Sequence, residues 1–258
     1  MWAFQYTEEN MLILEKNFSV PASYTNSHAE LSASGAITIL QDIAGEHAEQ
    51  MGVGFHDFKE KSNAFWIIAR TKIKFLRHPK IYEDVIVSTW PSKPAGVICN
   101  RNYSICTKDG ELLLSGKNEW VVIDAETHKL RRLNSTCYPV DEEYSSKIAL
   151  EEPYTRIETQ PSSEDYCYSH RVRYSDTDHV HHTNNVSYVK ILLDSFPAEF
   201  FEKNVVTGFE IKYIHESKEG DDIAVYRKKT TDGYALFGKS ISGEDIVCAS
   251  LSVKERDK

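Results

Sequence analysis

The sequence predicts an α+β protein built from two halves of one design, each a long helix followed by an antiparallel meander. Three observations predict it. Lys72–Val87 lies without a gap over Glu210–Val225, with Ile73/Ile211, Lys74/Lys212, Lys80/Lys218, Asp84/Asp222 and Val87/Val225 identical. Self-similarity of this kind marks one architectural unit used twice. Helical spacing followed by strand alternation also occurs in the same order in both halves, and the turn Asp109-Gly-Glu111 has a counterpart in Ser242-Gly-Glu244.

In the first half, Ile37, Leu40, Ile43/Ala44 and His47/Ala48 recur at helical spacing, predicting a helix over 34–52. Ser32 or Ser34 can cap its start and Gly52 can end it. Strands follow over 64–76, 84–90, 96–108 and 111–124, with Lys108-Asp-Gly110 as a hairpin turn. Residues 134–163 are rich in Pro, Ser, Glu and Thr and show no clear period, which marks a linker. The order then repeats: a strand over 167–174, a polar loop, a helix over 185–200, and strands over 208–216, 221–229, 234–242 and 244–254. The expected division is a first half at 1–135, a linker at 136–163 and a second half at 164–258. The economical packing wraps each sheet around its own helix and joins the sheets edge to edge.

A chain of 258 residues is long enough for two such cores. Apolar content of 41% and charged content of 27% are those of a globular protein. The formal charge of −9 argues against a nucleic-acid binder. Met1–Glu9 lacks the basic start and apolar stretch of a signal peptide, and no apolar run approaches a membrane span. The five cysteines are scattered without metal-ligand spacing, as in reduced thiols, so a cytoplasmic protein is expected.

The two copies differ where reactivity could sit. His78 in the first stands where Glu216 stands in the second, and only the second half carries Asp176-Thr-Asp-His-Val-His-His-Thr-Asn-Asn185 before its helix. Asn184 or Asn185 can cap that helix, and backbone N–H groups near Asn184, Asn185 and Val186 can hold an oxyanion. Asp178 and His182 lie in the loop, and Glu216 ends a strand that should pass the helix start. Carboxylate, imidazole and helix N-terminus together suit acyl-transfer hydrolysis. Plainer readings stand beside this one. An Asp or Asn before a helix is most often only a cap, and Glu216 alone is a solvated strand-end charge. The alternation of His179 and His181 occurs in metal sites, yet no third ligand has usable spacing, so no metal is expected. His47 fits a satisfied core histidine, and Arg70, Lys72 and Lys74 fit a solvated sheet face.

These residues resemble a known family. Asp176–Tyr188 is similar to the Asp-x-Asp-x-Asn-x-His-Val-Asn-Asn-x-x-Tyr signature of plant and bacterial acyl-acyl-carrier-protein thioesterases, and Lys212–Ser217 to that family's Glu-Tyr-Arg-Arg-Glu-Cys segment. Leu40–His47, Phe65–Arg70, Asp84–Trp90 and Asn118–Asp124 extend the resemblance across nearly the whole chain. It implies a tandem (double) hotdog fold, with acyl binding in the first half and catalysis in the second. Carried over by position, Asp178, His182 and Glu216 match the catalytic Asp, His and Glu. The family's catalytic Asn falls on Val180, which cannot hydrogen-bond through its side chain. Ser217 replaces the Cys beside the Glu, so a thiol nucleophile there has no counterpart.

The resemblance thus implies hydrolysis of fatty acyl-acyl carrier protein to free fatty acid, without metal or organic cofactor because a thioester is already activated. The alternatives are an acyl-CoA thioesterase and a non-catalytic acyl-thioester-binding protein. No His-Phe-Pro-Gly-like segment speaks for a hotdog dehydratase. Ile37, Leu40, Ala44 and Met51 lie near one stripe of the first helix and are expected to line the acyl site. Carrier protein is acidic, so docking needs a local basic surface, for which Arg70, Lys72, Lys74 and Arg77 are the densest candidate and Lys129, Arg131 and Arg132 the runner-up. An exposed sheet edge leaves room for a homodimer.

Overall fold

The computed structural model describes residues 12–156 and 160–256. The leader-free reading of residues 1–9 lies outside them. Helix α1 (Ala33–Gln50) begins where Ser32 Oγ accepts from Gly35 N at 3.0 Å. It ends at Met51, and Gly52 then takes φ +69°, a conformation costly for any side chain. In the second half Asn184 is the cap: its Oδ1 accepts from Val186 N at 2.8 Å and opens α3 (Asn185–Leu193). The expected single helix over 185–200 stops at Leu193. Pro197 cannot continue a helix, and a short α4 (Ala198–Lys203) starts after it.

The strands are β1 (Leu14–Ser19), β2 (Ala64–Phe75), β3 (Asp84–Pro91), β4 (Ile98–Thr107), β5 (Leu112–Asp124), β6 (Leu130–Arg131), β7 (Tyr166–Arg171), β8 (Asn204–Tyr213), β9 (Asp222–Thr230), β10 (Gly233–Ser240) and β11 (Asp245–Glu255). They form one sheet, in the order β1-β3-β4-β5-β2-β8-β11-β10-β9-β7, with β6 on β5. The first five strands of that order belong to the first half and the last five to the second, and antiparallel β2 and β8 join them. Strand β1, helix α2 (Phe55–Ser62) and α4 are additions to the expected pattern.

Both long helices sit on one face of this sheet. Ile37 and Leu40 of α1, Val189 and Leu192 of α3, Ile73 of β2 and Ile211 of β8 belong to one buried apolar cluster, so the halves share a core. Alternation sends Arg70, Lys72 and Lys74 to the opposite face. That face is not bare. Linker residues cross it: Lys147 O accepts from Trp90 Nε1 at 2.8 Å, Ala149 N donates to Asn102 Oδ1 at 3.1 Å, and Pro153 O accepts from Lys72 Nζ at 2.7 Å. Thr155 N then donates to both carboxylate oxygens of Glu210, at 2.8 and 2.9 Å. These bonds make the aperiodic segment a strap anchored on the sheet. No helix among the described residues is long and apolar enough to cross a membrane.

Candidate functional site

Residues 176–184 form a tight loop with its own hydrogen-bond pattern. Asp178 N donates to His182 O at 2.9 Å and His181 N to Asp178 O at 3.0 Å, with His181 at φ +64°. Asp178 Oδ1 accepts from Val180 N at 3.0 Å, a side-chain-closed turn that Asp and Asn favour. The loop is then stitched to the chain after β8 by Thr183 N donating to Ser217 O at 2.7 Å. This stitch brings the expected pair together. His182 Nε2 lies 3.1 Å from Glu216 Oε2, with the side chains 44% and 56% exposed. An imidazole and a carboxylate in contact and open to solvent can move protons to and from a bound substrate.

Asp178 stands in the same turn, but its carboxylate serves the loop backbone. With Tyr174, Ser175, Thr177, His179 and His181 it lines a hollow of about 490 Å³. The histidines diverge: His179 packs edge-on against Phe55 of α2, with ring centroids 4.9 Å apart, while His182 faces Glu216. The helix start offers less than expected for an oxyanion. Asn184 N donates to Asp176 O at 2.8 Å and Val186 N is taken by the Asn184 cap. Among the described residues, Asn185 N–H is the member of the expected trio with no protein acceptor.

The first half carries the same loop without the chemistry. Asn26 N donates to Glu30 O at 2.8 Å and Ala29 N to Asn26 O at 3.0 Å, with Ala29 at φ +56°, and Leu31 N reaches Pro79 O at 2.8 Å. Asn26, Glu30 and His78 therefore occupy the positions of Asp178, His182 and Glu216, with acid and imidazole exchanged. Both are buried, at 7% and 8% exposure. His78 contacts Leu31 O at 2.8 Å and Val206 O at 2.7 Å through its two ring nitrogens, and Glu30 holds Lys80 and Arg256 at 2.8 and 2.9 Å. Burial raises the Glu30 carboxyl, but these two cations more than offset it and hold it down at about 2. The first-half pair is sealed, and the second-half pair is open.

Of the expected acyl-site residues, Ile37, Leu40 and Ala44 are buried on α1. Gly116 of β5 makes room for this stripe: a Cβ there would stand 3.0 Å from Leu40 Cδ1. Met51 departs from the group, since it caps α1 and packs partly exposed against a separate cluster with Phe58 and Trp66. His47 is a core histidine, accepting from Arg101 Nη1 at 2.8 Å.

The cations of the expected basic docking face are matched by carboxylates. Lys72 pairs with Glu210 at 3.2 Å, Lys74 with Glu152, Arg70 with Glu119 at 3.6 Å, and Arg77 with Glu83 at 2.7 Å. The linker strap covers Lys72 besides. A cation already matched by a carboxylate adds little field for an incoming acidic partner. In the runner-up group, Arg131 lies 3.6 Å from Asp124.

Sequence reasoning gave no role to three hydroxyls beside the exposed pair. Ser217 Oγ lies 2.7 Å from both Thr183 Oγ1 and Tyr188 Oη, and Ser217 N donates to Tyr188 Oη at 2.9 Å. All three residues are buried. Their signal was adjacency, since Thr183 follows His182 and Ser217 follows Glu216.

Comparison with known proteins agrees with this architecture. Models of the acyl-ACP thioesterase N-terminal and C-terminal domains match residues 12–139 and 159–252. An acyl-ACP thioesterase from Bacteroides thetaiotaomicron superposes with TM-score 0.86 at 25% identity, over 96% of this chain and 100% of that one. The 12:0-ACP thioesterase from Umbellularia californica shares the fold, with TM-score 0.84 at 17% identity over 98% and 100% of the two chains. The chloroplastic palmitoyl-acyl carrier protein thioesterase of Arabidopsis thaliana is 24% identical over 93% of this chain, which spans 60% of that relative's length. The Gossypium hirsutum protein of the same description is spanned over 52% of its length. With both domain models matched in order along one sheet, the chain belongs to the acyl-ACP thioesterase family.

Proposed function

We propose that this chain hydrolyses the thioester of a fatty acyl group on acyl carrier protein, releasing the free acid. The observation that carries the reading is the open His182–Glu216 pair at 3.1 Å, beside a sealed counterpart in the other half. Glu216 takes a proton from water as the water oxygen attacks the thioester carbonyl. The C–S bond then breaks, the proton passes from Glu216 across the contact to His182, and the imidazole delivers it to the leaving sulfur. Asn185 N–H is the backbone donor for the developing oxyanion. Asp178 holds the loop that carries His182. The buried stripe of Ile37, Leu40 and Ala44 is the apolar lining for the acyl chain, in keeping with its place on the sheet-facing side of α1.

The test is turnover of matched acyl groups on carrier protein and on coenzyme A by the parent and by Glu216→Ala. Parent turnover with a kcat loss of roughly 10²–10⁴-fold in the variant supports the reading. Preference for the coenzyme A thioester would reassign the substrate, and undiminished turnover by Glu216→Ala would remove the carboxylate from the reaction. Because Glu216 is 56% exposed, its loss should leave the fold intact.

A further inference from the structure

We propose that Ser217, Thr183 and Tyr188 are positioning residues that set the separation of His182 from Glu216. The inference rests on the hydrolase reading of that pair. Each reactive residue is followed in the chain by one member of the hydroxyl cluster, and the two members meet at 2.7 Å. Tyr188, from the first turns of α3, locks them from below: it accepts from Ser217 N at 2.9 Å and lies 2.7 Å from Ser217 Oγ. Each hydroxyl offers one donor and two acceptor sites. One consistent order runs from Ser217 N–H to Tyr188 Oη, from Tyr188 O–H to Ser217 Oγ, and from Ser217 O–H to Thr183 Oγ1. Burial pushes the Tyr188 phenol up, which keeps it a neutral donor.

The first half supplies the control. There the same backbone stitch, Leu31 N to Pro79 O at 2.8 Å, forms without a hydroxyl at any of the three matching positions. Counted from the shared caps and stitches, Leu31 stands for Thr183, Pro79 for Ser217 and Ala36 for Tyr188. All three are apolar and buried or nearly so. The fold therefore closes this loop without the hydroxyl cluster. The cluster occurs where an acid and an imidazole must be held in contact while exposed to water. Fixing two side chains that solvent would otherwise scatter is a task for locked neighbours, because an error near 1 Å can cost roughly 100-fold in rate.

The experiment compares the parent with Ser217→Ala, Tyr188→Phe, Thr183→Val and Thr183→Ser, using melting temperature to confirm folding. Ser217→Ala leaves the Ser217 N–H bonded to Tyr188 and removes only the side-chain contacts, so it guards against misfolding of the tyrosine variant. We expect kcat to fall roughly 10–100-fold in Ser217→Ala and Thr183→Val while KM stays near the parent value, and Thr183→Ser to restore it. A second readout needs no turnover: the NMR titration of the His182 imidazole should change its midpoint in Ser217→Ala and Thr183→Val. Folded variants with parental kcat and an unchanged His182 titration would overturn the proposal. A parent that cleaves no thioester would sink the hydrolase reading alone, because the titration still reports on the coupling.

Discussion

Lys72 and Glu210 hold the same place in their two halves and are also each other's partners across the seam. The repeat aligns them, β2 and β8 pair them in register, and their side chains meet at 3.2 Å with little solvent access. The approximate twofold axis of the chain passes through this ion pair. A side chain on such an axis would face its own copy if the halves were identical. Lysine against glutamate turns like-charge repulsion into attraction, and Thr155 N secures the carboxylate.

Glu210→Gln should therefore destabilise the protein by up to about 3 kcal/mol, because it strands a poorly hydrated ammonium. Replacing both residues by Met should recover much of that loss. Urea denaturation of the single and double variants measures it, and a single variant as stable as the parent would remove the pair from the seam's energetics.

His78 is the first half's counterpart to Glu216, and it acts as a tie between the halves. It joins Leu31 O in its own half to Val206 O on β8, and it stacks on Phe75 at 3.8 Å. His78→Ala removes the ring donor from this junction, at a cost of roughly 1–3 kcal/mol for the carbonyl left unsatisfied. Thermal unfolding should show this loss, while turnover per folded molecule stays at the parental level. A catalytic defect in fully folded His78→Ala would contradict the sealed character of this position.

Much of this arrangement was legible in the sequence because it repeats. The gapless alignment of Lys72–Val87 with Glu210–Val225 revealed the repeat, and Gly52 and Asn184 marked helix ends by their backbone needs. Strand β1 escaped because its inward positions are Leu14, Lys16 and Phe18, and Lys16 faces Glu46 at 2.6 Å rather than an apolar wall. Helix α2 is only eight residues long and buries only Phe58, too little for a periodic signal. The linker could not be read as a strap, since the hydrogen bonds that anchor it end on strands distant in the chain. The partners of the basic row were hidden for the same reason: alternating Arg70, Lys72 and Lys74 are visible in one strand, while Glu119, Glu152 and Glu210 arrive from elsewhere. His182 and Glu216 were legible as types, and their 3.1 Å contact needed the fold.

Glu30 gives the first half a measurable acid sensitivity. Its folded value of about 2 lies below the ordinary 4.5, so its contribution to stability is present above that ordinary value. As pH falls from about 4.5 towards 2, the carboxylate protonates more readily in the unfolded chain and the contribution is lost. The expected size is roughly 3 kcal/mol at neutral pH. Glu30→Gln should be less stable than the parent at pH 7, and the gap should narrow across that acid window. A gap that stays constant with pH would mean that Glu30 stabilises by packing and not by charge.

The last prediction separates the two tasks open to Asp178. Its Oδ1 closes the loop on Val180 N at 3.0 Å, and in the first half Asn26 closes the same turn on His28 N and Glu30 N, at 2.9 and 3.1 Å. An amide oxygen is therefore sufficient for the turn. Asp178→Asn should keep the loop and lose less than roughly tenfold in kcat, which is about 1.4 kcal/mol of barrier. Asp178→Ala removes the acceptor, frees the loop that holds His182, and should lose more. The residue-180 side chain is peripheral here, since only its backbone N–H is engaged, so Val180→Ala should leave kcat near the parent. If Asp178→Asn proves as damaging as Asp178→Ala, the negative charge and not the turn is what the site requires. Crystal structures of the two variants would show whether the His182–Glu216 contact survives in each.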